Sequence, residues 1–470
     1  MGENFDLPDF CDALRQNHTV RHVCFSGTFV RELAPDQWRT MLESIGYLPT
    51  LEELQIWCST IPADVFAHTL HHATRLAKVY FFRVGLDGNQ DDMNALADAL
   101  AVHPALRDVR IGGFHLIQQQ NEEGGGAGAT AEGADPHAAP QQTVNIDRLV
   151  AALGQTPKLE VVSLQLSGSQ RNIPCGAAAL HSLLQSSSIT DLYLSRLGLA
   201  ESHLEVIAAA LAVNTTLRSL DLFGNNIENE HIIDMAQSLS RNTRLEALVL
   251  PCPTCDLSVA ACEAISQALQ INTTLITFNL PRSNLSDEGI IHLAEGLTVN
   301  KTLKKIEVGV SKTVGDQGLQ ALTTMLEQNY QLERVVVSSA DQSIKQKAEY
   351  YMRLNEVGRG KLLRSNGNAT REAWVDILAA CTNDLDCLYY FVKTNPAICQ
   401  FAQATFHQAP FICTHELRIS RRHTIHHWAA GGDRNSSGGG CAGTTAAQSN
   451  AAGASSPNVS GQSRRASGFF

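Results

Sequence analysis

Apolar residues return along most of this chain in one spacing, L-x-x-L-x-L, and the gaps between returns are nearly constant. The frame is clearest at Leu217, Leu220 and Leu222, then Leu245, Leu248 and Leu250, then Leu275, Phe278 and Leu280, then Leu303, Ile306 and Val308, at steps of 28, 30 and 28 residues. Fainter copies precede it at Val20, Val23, Phe25; Leu51, Leu54, Ile56; Leu76, Val79, Phe81; Leu106, Val109, Ile111; Leu159, Val162, Leu164; and Ile189, Leu192, Leu194. One more follows at Leu332, Val335, Val337, which makes eleven copies. Self-similarity at a period of about 20 to 50 residues marks a solenoid of stacked units rather than a closed globule.

Within a copy the period changes once. The L-x-L core alternates, so it predicts a short strand with one buried face, near residues 52–56, 77–81, 107–111, 190–194, 218–222, 246–250, 276–280, 304–308 and 333–337. Leu204, Ile207, Ala208 and Leu211, and likewise Ile232, Met235, Ala236 and Leu239, then fall at i, i+3, i+4 and i+7, the apolar stripe of a helix. A single strand-loop-helix unit cannot bury both stripes, so neighbours must stack strand on strand and helix on helix. Asn214, Asn242, Asn272, Asn300 and Asn329 stand where each helix stops, and left-handed backbone there is the expected reason for asparagine. The same position makes turn chemistry, not glycosylation, the better reading of the Asn-Thr-Thr strings at 214 and 272.

The run Leu217 to Ile227, L-x-x-L-x-L-x-x-N-x-I, with its long helical half, resembles the leucine-rich repeats of the ribonuclease-inhibitor type. The resemblance covers about residues 18–340 and implies an α/β horseshoe solenoid with a parallel inner sheet and outer helices. Asn225 of that motif is replaced by Pro253 and Ser283 in the next two copies, so an interrupted inner asparagine ladder is expected.

Two segments break the rhythm. Between Leu106 and Leu159 the step is 53 residues, one repeat plus the Gly/Ala-rich stretch QQQNEEGGGAGATAEGADPHAAPQQ, which is too poor in apolar residues to hold a core. After Val337 the strand frame ends, and Ile344, Ala348, Tyr351 and Leu354 share one helical face with Gly358 as its C-cap. Two further helices are expected through Trp374, Ile377, Leu378 and Cys381, and through Leu385, Leu388, Tyr389 and Val392, together a cap over the last repeat. The string Tyr351-x-x-Leu354-Asn355-x-x-Gly358-Arg359, followed by Trp374, is similar to tails of free-standing microalgal leucine-rich-repeat proteins. The expected organisation is N-terminal repeats over 1–117, a disordered insertion over 118–144, main repeats over 145–340, a helical cap over 341–428 and a disordered Gly/Ser/Ala-rich tail over 429–470.

Composition narrows the function. A net charge of −11 without a basic stripe in the repeats argues against nucleic acid. No apolar run reaches membrane-spanning length, and MGENFDLPDF lacks the regions of a signal peptide, so a cytoplasmic or nuclear chain is expected, with no membrane partner. Asp6 stands where an N-myristoylation motif wants Ser or Thr. Of the twelve cysteines, Cys252, Cys255 and Cys262 form the best zinc candidate. Cys255 and Cys262 fall on inward positions of the frame, however, and no second ligand pair lies at standard spacing, so both are expected as small buried apolars and no metal or other cofactor is called for. The segment with Cys413, His415, His423, His426 and His427 fits no standard metal spacing and reads as solvated. Arg464-Arg465-Ala466-Ser467 fits a basophilic kinase pattern and makes Ser467 a candidate phosphosite.

The frame assembles no nucleophile, base or metal set, so a non-enzymatic chain is expected. It does fix which strand residues point away from the core: Glu53, Gln55 and Trp57; Lys78, Tyr80 and Phe82; Asp108 and Arg110; Asp191 and Tyr193; Ser219, Asp221 and Phe223; Lys305 and Glu307. Aromatic side chains set among charges are the anchors of protein interfaces, so the expected function is a monomeric protein-binding scaffold that takes a protein partner on its concave face. The alternative for Trp57 and Phe82 is that they cover an edge or pack on the N-terminal segment. Two other readings of the chain are a regulator of a small GTPase, since similar repeats occur in such proteins, and an immune-type sensor standing free of any G-x-x-x-x-G-K-[ST] phosphate loop.

Overall fold

Every strand of the repeat frame finds the next one. A computed structural model describes residues 6–26, 29, 33–117, 144–166, 173–250, 256–310, 314–338, 342–364, 369–381 and 383–395. These lie in one unit, Met1–Gln403; the tail, Ser467, the histidines from 415 to 427 and the insertion fall outside the described residues, as does the cap beyond 395.

The strands are β1 (His22–Phe25), β2 (Glu53–Trp57), β3 (Thr60–Pro62), β4 (Lys78–Phe82), β5 (Gly85–Asp87), β6 (Asp108–Ile117), β7 (Val161–Leu166), β8 (Asp191–Ser195), β9 (Ser219–Asp221), β10 (Ala247–Val249), β11 (Thr277–Leu285), β12 (Lys305–Val310) and β13 (Arg334–Ser338). Eleven of them form one parallel ladder, β1-β2-β4-β6-β7-β8-β9-β10-β11-β12-β13, in chain order. The middle apolar residue of each copy pairs with the next without a slip: Val23, Leu54, Val79, Val109, Val162, Leu192, Leu220, Leu248, Phe278, Ile306 and Val335. Strand spacing of about 4.8 Å inside against helix spacing of about 8 to 10 Å outside forces such a stack to curve with its sheet on the concave side. The frame did not foresee a short second ladder, in which β3, β5 and the end of β6 pair in parallel beside the first repeats. It arises because the chain stays extended past the turn at Cys58 and Arg83.

That turn recurs. Seven residues after the first apolar residue of its copy, the backbone is left-handed at Cys58 (φ 54°), Arg83 (54°), Gly113 (65°), Arg196 (54°) and Gly224 (77°). Gly224 has a second reason to lack a side chain, since a Cβ there would stand 2.5 Å from Arg196 Cγ.

The asparagines at the helix ends work differently from the sequence expectation. Their φ angles lie between −83° and −65° with extended ψ, so left-handed backbone is not why asparagine is there. Their amides are the reason. Asn272 Nδ2 donates to the carbonyls of Leu239 (2.9 Å) and Asn242 (3.0 Å) of the preceding repeat, while its Oδ1 accepts the N–H groups of Thr274 (3.0 Å) and Leu275 (2.8 Å). Asn242, Asn300 and Asn329 repeat the pattern, each donating to the asparagine carbonyl one repeat back. A helix leaves its last carbonyls without donors, so each amide caps one helix and opens the next strand. Earlier rungs use other side chains. His103 Nδ1 accepts from the Leu106 N–H (3.1 Å) and Nε2 meets the Ala73 carbonyl (3.2 Å), and Thr156 Oγ1 donates to Leu100 O (3.0 Å). On the other edge Asn225 Oδ1 accepts the Leu197 N–H (2.9 Å) and Nδ2 donates to Leu194 O (2.7 Å); two copies later Ser283 Oγ bridges to Gly309 instead, as the broken motif implied.

The last rung is arginine. After Asn329, Asn355 Nδ2 takes the Asn329 and Leu332 carbonyls, and Arg359, only 1% exposed, donates through NH2 to Leu326 O (3.0 Å) and Asn329 O (2.7 Å). Gly358, with φ 117°, turns the chain between them. The Asn355-x-x-Gly358-Arg359 string therefore plugs the open end of the ladder. Beyond it the helices Gln342–Val357, Arg359–Arg364, Arg371–Ala380 and Leu385–Thr394 surround a separate small core of Leu354, Leu362, Ile377, Cys381, Cys387 and Phe391. The stripe expected on the last helix is displaced: Leu385 and Tyr389 are 76% and 65% exposed, and Cys387 and Phe391 are buried in their place. Asp384 caps the Cys387 N–H at the start of that helix and is itself held by Arg353 (3.0 Å) of the helix Gln342–Val357. Cys262 is buried and in no disulfide; Cys255 and the side chain of Ile344 fall outside the described residues.

Candidate functional site

Alternation along each strand sends three rows of side chains onto the concave face. The first row holds His22, Glu53, Lys78, Asp108, Val161, Asp191, Ser219, Ala247, Thr277, Lys305 and Arg334, matched strand to strand. The second runs from Gln55 through Tyr80, Arg110, Ser163, Tyr193, Asp221, Val249 and Asn279 to Glu307, by the same pairings. Trp57, Phe82, Gly112, Gln165 and Ser195 form the third, and Phe223 lies just past β9, its carbonyl accepting the Arg196 N–H (2.7 Å).

At the N-terminal end these residues hold one another. Trp57 and Phe82 stack at 4.3 Å and 29°, with Trp57 still 41% exposed, so the pair is a shelf open to solvent and Trp57 rests on the next repeat. Next to it in the third row is Gly112, where the shelf ends for want of a side chain. Below the shelf Arg110 clasps Asp108 through Nε (2.9 Å) and NH2 (3.1 Å), the Tyr80 hydroxyl donates to Asp108 Oδ2 (3.0 Å), and the guanidinium lies 5.5 Å from the Tyr80 ring centre. Burial, and then the bond to Asp108, push the Tyr80 hydroxyl up to about 12, and the same carboxylate raises Arg110. Glu53 sits between His22 (3.6 Å), Lys78 (3.8 Å) and Gln55. The charges here are paired, and the bond to Asp108 and the contact with Arg110 hold the Tyr80 ring in place.

Toward the middle that balance ends. Asp191 and Tyr193 on β8 adjoin Ser219 and Asp221 on β9, and burial raises the Asp221 carboxyl above its ordinary range. Phe223 follows, with its N–H donated to Asp221 Oδ1 (2.7 Å) and the Arg196 guanidinium 5.7 Å from its ring. Lys305 and Glu307 stand apart, with β10 and β11 between them and Asp221. The predicted residues thus form a continuous N-terminal group on β2, β4 and β6, a middle group on β8 and β9, and an isolated pair on β12. Sequence reasoning missed Arg196 and Arg334. The frame itself carried Arg334, two residues after Leu332, while Arg196 depends on the left-handed turn, which no spacing rule announces.

Among the described residues no group of three or more His, Cys, Asp or Glu is placed to hold a metal ion, and no helix is long and apolar enough to cross a membrane. A family model described as Leucine Rich repeat matches residues 213–230, and the ribonuclease inhibitor of Sus scrofa is 26% identical over 158 residues, 33% of this chain and 34% of the inhibitor. The chain is a leucine-rich-repeat protein of the ribonuclease-inhibitor-like type. The chain is also similar to Protein TORNADO 1 of Arabidopsis thaliana, 26% identical over 223 residues, 45% of this chain and 16% of that one, and to NACHT, LRR and PYD domains-containing protein 12 of Homo sapiens, 30% identical over 137 residues, 29% and 13%. The chain spans between 13% and 34% of these relatives' own lengths.

Proposed function

We propose that this leucine-rich-repeat chain is a non-enzymatic scaffold that binds a protein partner on its concave face, with the Trp57–Phe82 shelf as the anchor. The observation that carries the reading is that shelf, two stacked rings at 4.3 Å with 41% of Trp57 in solvent, beside the hydrogen-bonded Tyr80–Asp108–Arg110 cluster in the neighbouring rows. Exposed aromatic residues held in one rotamer lose little entropy on binding and make the strongest interface anchors. Glu53 and Lys78 supply polar contacts beside the shelf, and Asp191, Tyr193, Asp221 and Phe223 on β8 and β9 and Lys305 and Glu307 on β12 extend the binding face along the ladder. A regulator of a small GTPase or an immune-type sensor would bind through the same face. The test is affinity capture with quantitative proteomics on the wild-type chain, Trp57→Ala, Phe82→Ala and an exposed helix-side control, Val213→Ala. A partner of the shelf is lost with the first two and kept by the third, at an expected cost of about 2 kcal/mol or more per ring. Leu248→Ala should behave oppositely, costing about 2 to 5 kcal/mol of stability through a cavity. A chain whose captured proteins are the same with and without Trp57 and Phe82 does not bind through the shelf.

A further inference from the structure

The inference rests on the concave-face reading and concerns a different stretch of that face, from β8 to β13. Asp191 and Asp221 lie on adjacent strands with Tyr193 beside them, and Tyr193 is in register with Asp221. Among the described residues neither carboxylate has an ion-pair partner, in contrast to Glu53 and Asp108. At the far end Lys305 and Arg334 are directly in register on adjacent strands, both exposed and without an ion-pair partner among the described residues; Glu307 is the nearest acid along the strand. Like charges facing each other across a ladder are unfavourable, so this pair stands at a cost that an incoming anion would relieve. Between the two ends the first two rows hold, among the described residues, the short uncharged side chains Ser219, Ala247, Val249, Thr277 and Asn279. From the middle of β8/β9 to the middle of β12/β13 is four strand spacings, about 19 Å.

We propose that this stretch is a two-ended charge clamp for a partner α-helix lying across the strands, with basic side chains over Asp191 and Asp221 and acidic ones over Lys305 and Arg334. A distance of about 19 Å is about three and a half turns of helix, and the shallow floor accepts a rod about 10 Å across. The helix macrodipole favours acids at the N-terminus and bases at the C-terminus. The bound helix therefore runs from β13 toward β8. The burial that raises Asp221 adds to the demand for a cation there.

The experiment is fluorescence anisotropy of the full chain with alanine-rich helical peptides. One carries two glutamates and, about three and a half turns on, two arginines; another has the same residues about two turns apart. At low salt the first should bind about tenfold tighter, and the advantage should fade as added salt screens it. The variant with Asp191→Lys, Asp221→Lys, Lys305→Glu and Arg334→Glu, with its fold checked by circular dichroism, should lose that preference and prefer the peptide with the charges exchanged. Equal binding of both spacings, binding that ignores the charge reversal, or no binding at millimolar peptide overturns the clamp. The shelf reading survives that failure if Trp57→Ala still loses its captured protein, and falls alone if the peptides bind as expected while capture is unchanged.

Discussion

Asn272→Ala is the sharpest test of what holds the repeats together. The side chain is 3% exposed and serves two backbone carbonyls and two backbone N–H groups at 2.8 to 3.0 Å. Alanine removes all four bonds and leaves the end of the helix Val259–Ile271 joined to β11 with nothing to satisfy the Leu239 carbonyl. A buried polar group left without a partner costs about 1 to 3 kcal/mol. Relaxation and water entry spare part of this, so the expected loss is about 3 kcal/mol, measured by urea unfolding followed by circular dichroism. Two further substitutions separate the hydrogen-bonding account from simple packing. Asn272→His should lose much less than alanine, because His103 already fills the equivalent place with one ring nitrogen accepting and the other facing a carbonyl. Asn272→Asp keeps the acceptor but turns a carboxylate toward two carbonyls, so it should be worse than histidine at neutral pH and improve on acidification, when the carboxyl regains a donor. Amide exchange at Thr274 and Leu275 should accelerate in the alanine variant first. An alanine variant within about 0.5 kcal/mol of wild type, or a histidine variant as unstable as the alanine one, would refute the ladder argument.

Two more expectations follow from the same rungs. Burial lowers the pKa of His103 below 6.5, against an opposing contribution from the Ala73 carbonyl, so the folded chain binds fewer protons than the unfolded one. Its contribution is therefore complete above pH 6.5 and lost as pH falls through that value toward the folded pKa, and His103→Asn should flatten the melting temperature between pH 7.5 and 5; an unchanged slope refutes it. Arg359→Ala removes both donors to Leu326 O and Asn329 O and should release the cap, seen as rapid exchange over 342–394 while β2 to β11 stay protected, and Arg359→Gln should recover part of the loss.

The architecture was legible because the L-x-x-L-x-L spacing returns in every copy, so its middle residue could be matched from Val23 to Val335 even across the 53-residue step. Each expected strand starts one residue later than the apolar frame; β2, β4, β8 and β13 also end one residue later, whereas β9 and β10 end one residue earlier and β6 and β11 run on well past it. What the pattern could not carry is chemistry that depends on a neighbour one repeat away. Asparagine at the helix ends was legible as recurrence but not as an amide bridging to the preceding repeat, because a single copy suggests only a turn. Arginine at 359 sits where no frame residue is expected, and its role exists only against the carbonyls of Leu326 and Asn329. On the last helix the apolar candidates were plentiful, and packing against Leu354, Leu362, Ile377 and Cys381 leaves Cys387 and Phe391 facing inward. The outward rows were readable residue by residue, yet the pairings that decide their use, Asp108 with Arg110 and Lys305 against Arg334, come from strand adjacency.

These features divide the chain's work among separate sets of positions. Inward apolar residues and edge amides set stability, each rung joining two neighbouring repeats, so the outward rows are free to carry unfavourable pairs such as Lys305 and Arg334. In a solenoid, stability is a sum over neighbouring interfaces, and a ligand that bridges several repeats adds to every interface it crosses. A helix clamped from Asp191 to Arg334 would cross the β10–β11 boundary that Asn272 secures. At a hundredfold excess over its dissociation constant such a ligand contributes about 2.7 kcal/mol to the folded state, close to the loss expected from Asn272→Ala. A helix bound as proposed would therefore offset the loss at the rung, and Asn272→Ala should regain most of its unfolding free energy when the glutamate–arginine peptide is present in that excess.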